Sequence, residues 1–480
     1  MKILFFLISC LLTSNFVFAG LTPSYCALPS TFTKVLYTYP KKDFLDNIAW
    51  LSNPVPNQSN LPYLISFSQF MDDGNDKNYI LDLATGEKIV IPGQGDPVVT
   101  PDGKFLTIPG AHSGKSELQI YLTKEVLPAL LKPALLKKDK NKNFATMKPV
   151  FVDKQVEGYC QSFGVLRKEK GTVWYRLLHT EGGKPFSLTE YEVTESGKKI
   201  KFKSLKTMQV CSNLPQYVHD NGTAILSKDG NYISLYDSQA QATKIFELQV
   251  DKDKCTCKEV VSLGIPTGRV DFSYDTKKIT FHVNFLDIDY ADNYVLKMPS
   301  TKIKDAFVAD LEILNGKIVG LHRIARLTIS QKSGEGSYFP TFLPNGKIFY
   351  VYQDNSDRQD RKYRFEVVDP STLKYESNIF SKLNSETEEK KLLSKVVIGR
   401  LWTKSCGTKI LTPVQSALYA MSLDQGTCKT LVKESWTKLK SEVLKELKEM
   451  RKEPHSKLKA VSDKTFNQEI RLEDLFSSCG

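Results

Sequence analysis

The chain has 480 residues, 41% hydrophobic and 25% charged, with 66 Lys and Arg against 54 Asp and Glu for a formal charge of +12. That length accommodates three ordinary domains, but large all-β units exceed the usual size, so internal repeats are sought first. The basic excess collects in Lys-rich turns and in the C-terminal tail. This is the pattern of a solvated surface, and nucleic acid is not expected as a partner.

Met1-Lys2 leads into an almost wholly apolar run from Ile3 to Leu12, then a polar stretch and Val17-Phe18-Ala19-Gly20. A basic start, an apolar core and small residues near a cut site predict a cleavable signal peptide over residues 1–19. Thr13-Ser14-Asn15 breaks the apolar run far short of the roughly 20 residues that a membrane anchor needs. Leu7-Ile8-Ser9-Cys10 has the outline of a lipoprotein box, but too little apolar sequence precedes the cysteine. The expected location is therefore periplasmic or secreted, where disulfides persist. Of the nine cysteines, removal of Cys10 leaves Cys26, Cys160, Cys211, Cys255, Cys257, Cys406, Cys428 and Cys479. Cys255-Thr256-Cys257 lacks the spacing of a zinc pair.

Residues 20–45 form an N-terminal segment with an alternating strand at Phe32–Tyr39. From Asp46 one plan recurs: a short strand, a tight turn with Gly or Asp, then a strongly β-prone strand. The clearest copies are Asp96-Pro-Val-Val-Thr-Pro-Asp-Gly-Lys-Phe-Leu-Thr-Ile108 and Tyr338-Phe-Pro-Thr-Phe-Leu-Pro-Asn-Gly-Lys-Ile-Phe-Tyr-Val-Tyr352. Asp102-Gly103, Asp229-Gly230 and Asn345-Gly346 supply the left-handed angles of a two-residue hairpin turn. With Lys170, Asp275 and Cys406 as weaker markers, the turns recur at intervals of 46 to 70 residues, which fits four-stranded modules with added loops. Asn78–Ile91 and Tyr363–Pro370 contain alternating strands that run into turns, as a third strand does before a fourth.

Thr100-Pro-Asp-Gly-Lys104 and Leu343-Pro-Asn-Gly-Lys347 resemble the turn signature of the TolB-like, WD40-like repeat family, and the likeness extends over about residues 46–430. The resemblance implies an all-β propeller of four-stranded antiparallel blades around a channel. Seven blades are counted, from Asp46, Gln94, Glu157, Cys211, Pro266, Glu335 and Val396, with six as the alternative. The propeller spans 46–430, and the Phe32–Tyr39 strand would close the ring on the last blade. Thr123–Met147 and Thr301–Asn315 are read as insertions. A helical tail occupies 431–480. Within it Val432, Trp436, Leu439, Val443, Leu447 and Met450 make one face of an amphipathic helix over Lys433–Glu453, which docks on the propeller, a partner or a membrane surface.

In a blade the first-to-second and third-to-fourth turns share one end, which predicts a Cys406–Cys428 bridge; Cys160 and Cys211, at similar positions in successive blades, are a weaker pair. Cys255 and Cys257 fall in a third-to-fourth turn, with their partners open. Three second-to-third turns at the other end are acidic: Asp72, Asp73 and Asp76; Asp287, Asp289 and Asp292; Asp354 and Asp357. Exposed polar turns explain them, and calcium is the cation that such alternating carboxylates could hold. Gly110-Ala-His-Ser-Gly114 has one residue too few between its glycines for a phosphate loop, and Gly-x-Ser-x-Gly is missing. His282 lies in an apolar strand and reads as a core residue.

No catalytic constellation emerges. The expectation is an exported, monomeric, non-enzymatic scaffold for an envelope or secreted protein partner. The alternative is a glycosidase-like hydrolase or a carbohydrate-binding protein with carboxylates at the channel mouth.

Overall fold

The computed structural model describes residues 25–27, 33–39, 44–51, 64–70, 77–83, 85–91, 97–108, 117–126, 148–156, 159–180, 184–197, 199–215, 224–240, 242–263, 267–284, 304–328, 335–354, 362–373 and 375–377. The signal peptide, the Cys406–Cys428 pair, the blade from Val396 and the tail helix with Trp436, Leu439, Val443, Leu447 and Met450 lie outside these residues. The chain divides into two compact units. One comprises residues 28–308 and 325–374; the other comprises 1–27, 309–324 and 375–480.

Strand β1 (Tyr25–Ala27) belongs to the smaller unit and β2 (Thr33–Tyr39) to the larger. Blade one is β3 (Phe44–Leu51), β4 (Leu64–Phe70), β5 (Lys77–Asp82) and β6 (Lys88–Ile91). Blade two is β7 (Val98–Val99), β8 (Phe105–Thr107), β9 (Leu118–Leu122) and β10 (Phe151–Asp153). Blade three is β11 (Tyr159–Glu169), β12 (Thr172–Thr180), β13 (Ser187–Ser196) and β14 (Lys199–Gln209). Blade four is β15 (Ile225–Leu226), β16 (Tyr232–Asp237), β17 (Ala242–Asp251) and β18 (Lys254–Ser262). Each is an antiparallel sheet with its strands in chain order.

Blade five has β19 (Asp271–Phe272), β20 (Lys278–Asn284), β21 (Lys304–Leu314) and β22 (Lys317–Arg326). Its outer hairpin, 309–324, is assigned to the smaller unit, which also contains the antiparallel pair β1 and β26 (Tyr375–Ser377). Blade six has β23 (Glu335–Phe342), β24 (Ile348–Asp354) and β25 (Lys362–Val368), and its fourth strand is β2. Tyr37 stands opposite Phe365 and Thr33 opposite Val368.

This corrects the expected seven blades to six among the described residues. The N-terminal strand does close the ring, but on the blade that begins at Glu335. A second correction concerns Thr301–Asn315, read as an insertion: Lys304–Leu314 is a blade strand that turns at Asn315 and Gly316, whose φ angles are +51° and +76°. Among the described residues, helix is confined to one turn at 123–126 and a 3-10 turn at Pro370–Thr372, and no helix is long and apolar enough to cross a membrane.

A single blade cannot bury its own faces, and the core shows how the repeats solve this. One apolar cluster takes Phe105, Leu118 and Ile120 from blade two and Phe163, Tyr175 and Tyr191 from blade three. The next takes Leu178, Leu188 and Met208 from blade three and Leu226, Leu235 and Phe246 from blade four. A third joins Phe67, Tyr79 and Leu81 of blade one to Phe349, Tyr363 and Phe365 of blade six. Each fully buried side chain of this size contributes about 1.5–3 kcal/mol, so the blades joined by these clusters depend on one another.

The repeated turn has its own bonding logic. Thr100 Oγ1 donates to Asp102 Oδ1 at 2.7 Å and accepts the Phe105 N–H at 3.1 Å. Ser227 repeats this with Asp229 and Tyr232 (2.5 and 2.9 Å), and Ser273 with Asp275 and Lys278 (2.7 and 2.9 Å). Gly103 and Gly230 follow at φ +73° and +72°, which an L side chain rarely adopts. In blade six Leu343 replaces the hydroxyl residue, and Asn345 Oδ1 still accepts the Lys347 N–H at 3.1 Å. The signature is thus a structural device, and the residue between its hydroxyl and its acid is left open to vary.

Candidate functional site

That variable position points toward the axis. A recess of about 60 Å³ in the propeller unit is lined by first-strand residues from blades two to six, among them Val98, Ser162, Ile225, Asp271 and Phe342. The variable turn residues Pro101, Lys228 and Tyr274 join them, as does Arg269. The recess therefore exists because short inner strands converge while the turn signature fixes the backbone behind them.

Its electrostatics centre on Asp271, which is 5% exposed. Lys228 Nζ donates to Asp271 Oδ1 at 2.8 Å, and the Phe342 N–H donates to Oδ2 at 2.8 Å. Asp271 thus ties blade four to blade six through blade five, and both of its oxygens are engaged. Lys228 Nζ also lies 5.5 Å from the Tyr274 ring centroid, close enough for a cation–π attraction. Ser162 Oγ is occupied by the Leu226 N–H at 2.8 Å. The charged residues among the described lining are Lys228, Arg269 and Asp271.

This arrangement can hold an anionic or hydrogen-bonding group, but its one described carboxylate is committed to structural bonds. Two carboxylates about 5–10 Å apart, which glycoside hydrolysis needs, are not among the described lining residues. His282 on β20 is 7% exposed and packs against Tyr338 and Phe339, with ring centroids at 5.7 and 5.8 Å. A Cβ on Gly268 would lie 1.9 Å from the His282 ring, so the strand pair is fitted around that imidazole. Burial pushes Tyr338 up to about 12.

The acidic turn residues Asp72, Asp73, Asp76, Asp287, Asp289, Asp292 and Asp357 lie outside the described residues. Asp354 ends β24, opposite Glu335 on one side and Lys362 on the other. Among the described residues no group of three or more His, Cys, Asp or Glu is arranged to hold a metal. The expected Cys160–Cys211 pair is corrected: Cys211 bonds Cys257, with a Cα–Cα distance of 4.8 Å. The reason is topological, since Cys257 lies within β18 and not in the turn before it, beside the segment that follows β14.

The recess residues Lys228, Arg269, Asp271 and Tyr274 were not singled out by the sequence. Aligning Thr100-Pro101-Asp102, Ser227-Lys228-Asp229 and Ser273-Tyr274-Asp275 would have exposed Lys228 and Tyr274 as the variable column. Arg269 and Asp271 carry no such signal, because one precedes and the other begins a strand of only two residues.

Fold and site together define a β-propeller with a recess where its inner strands converge. Searches find no matching family model and no matching curated relative. Solved propellers do resemble the chain. TolB from Acinetobacter baumannii matches at 14% identity and a TM-score of 0.29, over 66% of this chain and 63% of that one. A TolB protein from Agrobacterium tumefaciens matches at 13% and 0.34, over 70% and 93%. The β-propeller domain of the Trilobed protease from Pyrococcus furiosus matches at 11% and 0.31, over 72% and 84%. The strand topology of the described residues is itself that of a β-propeller.

Proposed function

We propose that this chain is an exported, non-enzymatic propeller that acts as an interaction scaffold and receives an acidic segment of an envelope or secreted protein partner in its axial recess. The observation that carries the reading is the placement of Lys228 and Arg269 around a recess whose described carboxylate is already bonded on both oxygens. An acidic side chain entering there meets a low-dielectric wall and the cationic heads of Lys228 and Arg269, an attraction stronger than in bulk water.

The test uses the full mature chain and two labelled peptides of equal length, one Glu-rich and one Lys-rich, followed by fluorescence anisotropy. The Glu-rich peptide should bind with an affinity that falls as salt rises, and Arg269→Glu should weaken it at least tenfold. Equal binding of both peptides, or no effect of Arg269→Glu, would overturn the assignment. N-terminal sequencing of the secreted protein tests export: the expected start is Gly20, and a start at Met1 contradicts it.

A further inference from the structure

Three cysteines meet at the edge of blade four. Cys211 follows β14 with φ +49° and is bonded to Cys257. Cys255 is a free thiol, 0% exposed, in the same apolar cluster as both. Alternation along β18 puts Cys255 and Cys257 on one face, about 6.6 Å apart along the strand.

The segment 211–213 is clamped to that strand at both positions. The Ser212 N–H and Oγ donate to the Cys255 carbonyl at 2.8 and 3.1 Å. Asn213 Nδ2 donates to the Cys257 carbonyl at 3.0 Å, and its Oδ1 accepts the Cys257 N–H at 2.8 Å. The Cys211 N–H donates to the Cys255 sulfur. Cys211 therefore touches both sulfurs, that of Cys257 through the disulfide and that of Cys255 through its N–H.

We propose that Cys211, Cys255 and Cys257 form a thiol–disulfide exchange site in which Cys255 is a second partner for Cys211. The Cys255 thiol loses its proton and its thiolate attacks Cys211 Sγ. The Cys211–Cys255 bond forms, the Cys211–Cys257 bond breaks, and Cys257 leaves as a thiolate that takes up a proton. No electrons enter or leave, so no external oxidant is needed. Burial pushes the Cys255 thiol up, which keeps it protonated at neutral pH and makes the exchange faster as pH rises. Outside thiols do not reach a fully buried sulfur, so the exchange stays within the chain. The outcome is a staple between blades three and four that moves two residues along β18 without being lost.

Peptide mapping of the full chain, alkylated in denaturant without reduction, reads the bond directly. In Cys257→Ser the account expects Cys211 linked to Cys255, whereas two alkylated thiols would overturn it. Wild-type protein keeps the test decisive if that variant does not fold. Both cysteines fall in one short tryptic peptide, Cys255–Lys258, so fragment ions place the alkyl group on either sulfur. After incubation at alkaline pH, label should appear on Cys257 as well as Cys255, while Cys255→Ser should show the Cys211–Cys257 bond at every pH. Label confined to Cys255 in the wild type at every pH would overturn the proposal.

Discussion

Two junctions in the propeller are built by different means. Between blades three and four the contact is dense and polar as well as apolar. Arg176 Nη2 and Nε bond Glu190 Oε1 at 2.6 and 3.1 Å, and Nη1 reaches across to the Gly230 carbonyl at 2.6 Å. Lys206 supports Glu190 from 3.4 Å. Gly164 lies so near Gly230 that a Cβ on it would come within 2.3 Å of the Gly230 Cα. The Cys211–Cys257 bond then fixes the outer edge. Between blades six and one there is no covalent staple among the described residues. Instead Lys88 Nζ bonds the Tyr39 hydroxyl at 3.0 Å and sits 4.1 Å from the Tyr79 ring centroid, over a T-shaped Tyr39–Phe67 pair. The difference follows chain order. The closing blade takes its fourth strand from the other end of the chain and is held by ladder hydrogen bonds and aromatic packing.

The largest expected effect comes from breaking the locked junction. Arg176→Met leaves Glu190, 8% exposed, and the Gly230 carbonyl without their main donor. It should destabilise the protein by about 3–5 kcal/mol in urea titrations. Replacing Glu190 by Leu in the same chain should recover part of that loss, since the uncompensated charge is then removed. Cys211→Ser opens a bond that spans 46 residues and should lower stability by about 2–4 kcal/mol, measured in the same titration without reductant. At the closing junction Lys88→Met keeps the aliphatic stem and removes the charge, so its effect should be smaller, about 0.5–2 kcal/mol.

The smallest effect is on acid stability. Burial opposes ionisation of Asp237 and Asp275, but hydrogen bonds from Ala240 and Lys244 to the first, and from Ser273 and Lys277 to the second, hold both carboxyls below the ordinary 3.8. A depressed native value means that their contribution is fully present above pH 3.8 and is lost as the pH falls through the lowered values. Unfolding midpoints measured from pH 5 downward should drop over that window, and Asp275→Asn should flatten the drop.

These contrasts also show what was legible in the sequence. The Asp-Gly and Asn-Gly turns marked the first hairpin of blades two, four and six because left-handed angles restrict the choice of residue. The Phe32–Tyr39 strand was visible from its alternation. Strand β21 was not, because Asp305 to Asp310 are all buried and no inside–outside alternation survives; Asn315-Gly316 was the signal available. The blade count was one too high because a seventh blade was counted from Val396, whereas the closing strand pairs with the blade that begins at Glu335. The Cys211–Cys257 bond was hidden by placing both β18 cysteines in a turn. The recess was hidden because its charged residues come from a turn, a connecting segment and a two-residue strand, with no periodicity to read.

Amide hydrogen exchange over β2 and β25, followed by mass spectrometry, tests closure of a six-bladed ring most directly. The account predicts that 33–39 and 362–368 are protected to the same degree and lose protection together in mild denaturant. Rapid exchange throughout 33–39 while 362–368 stays protected would contradict it.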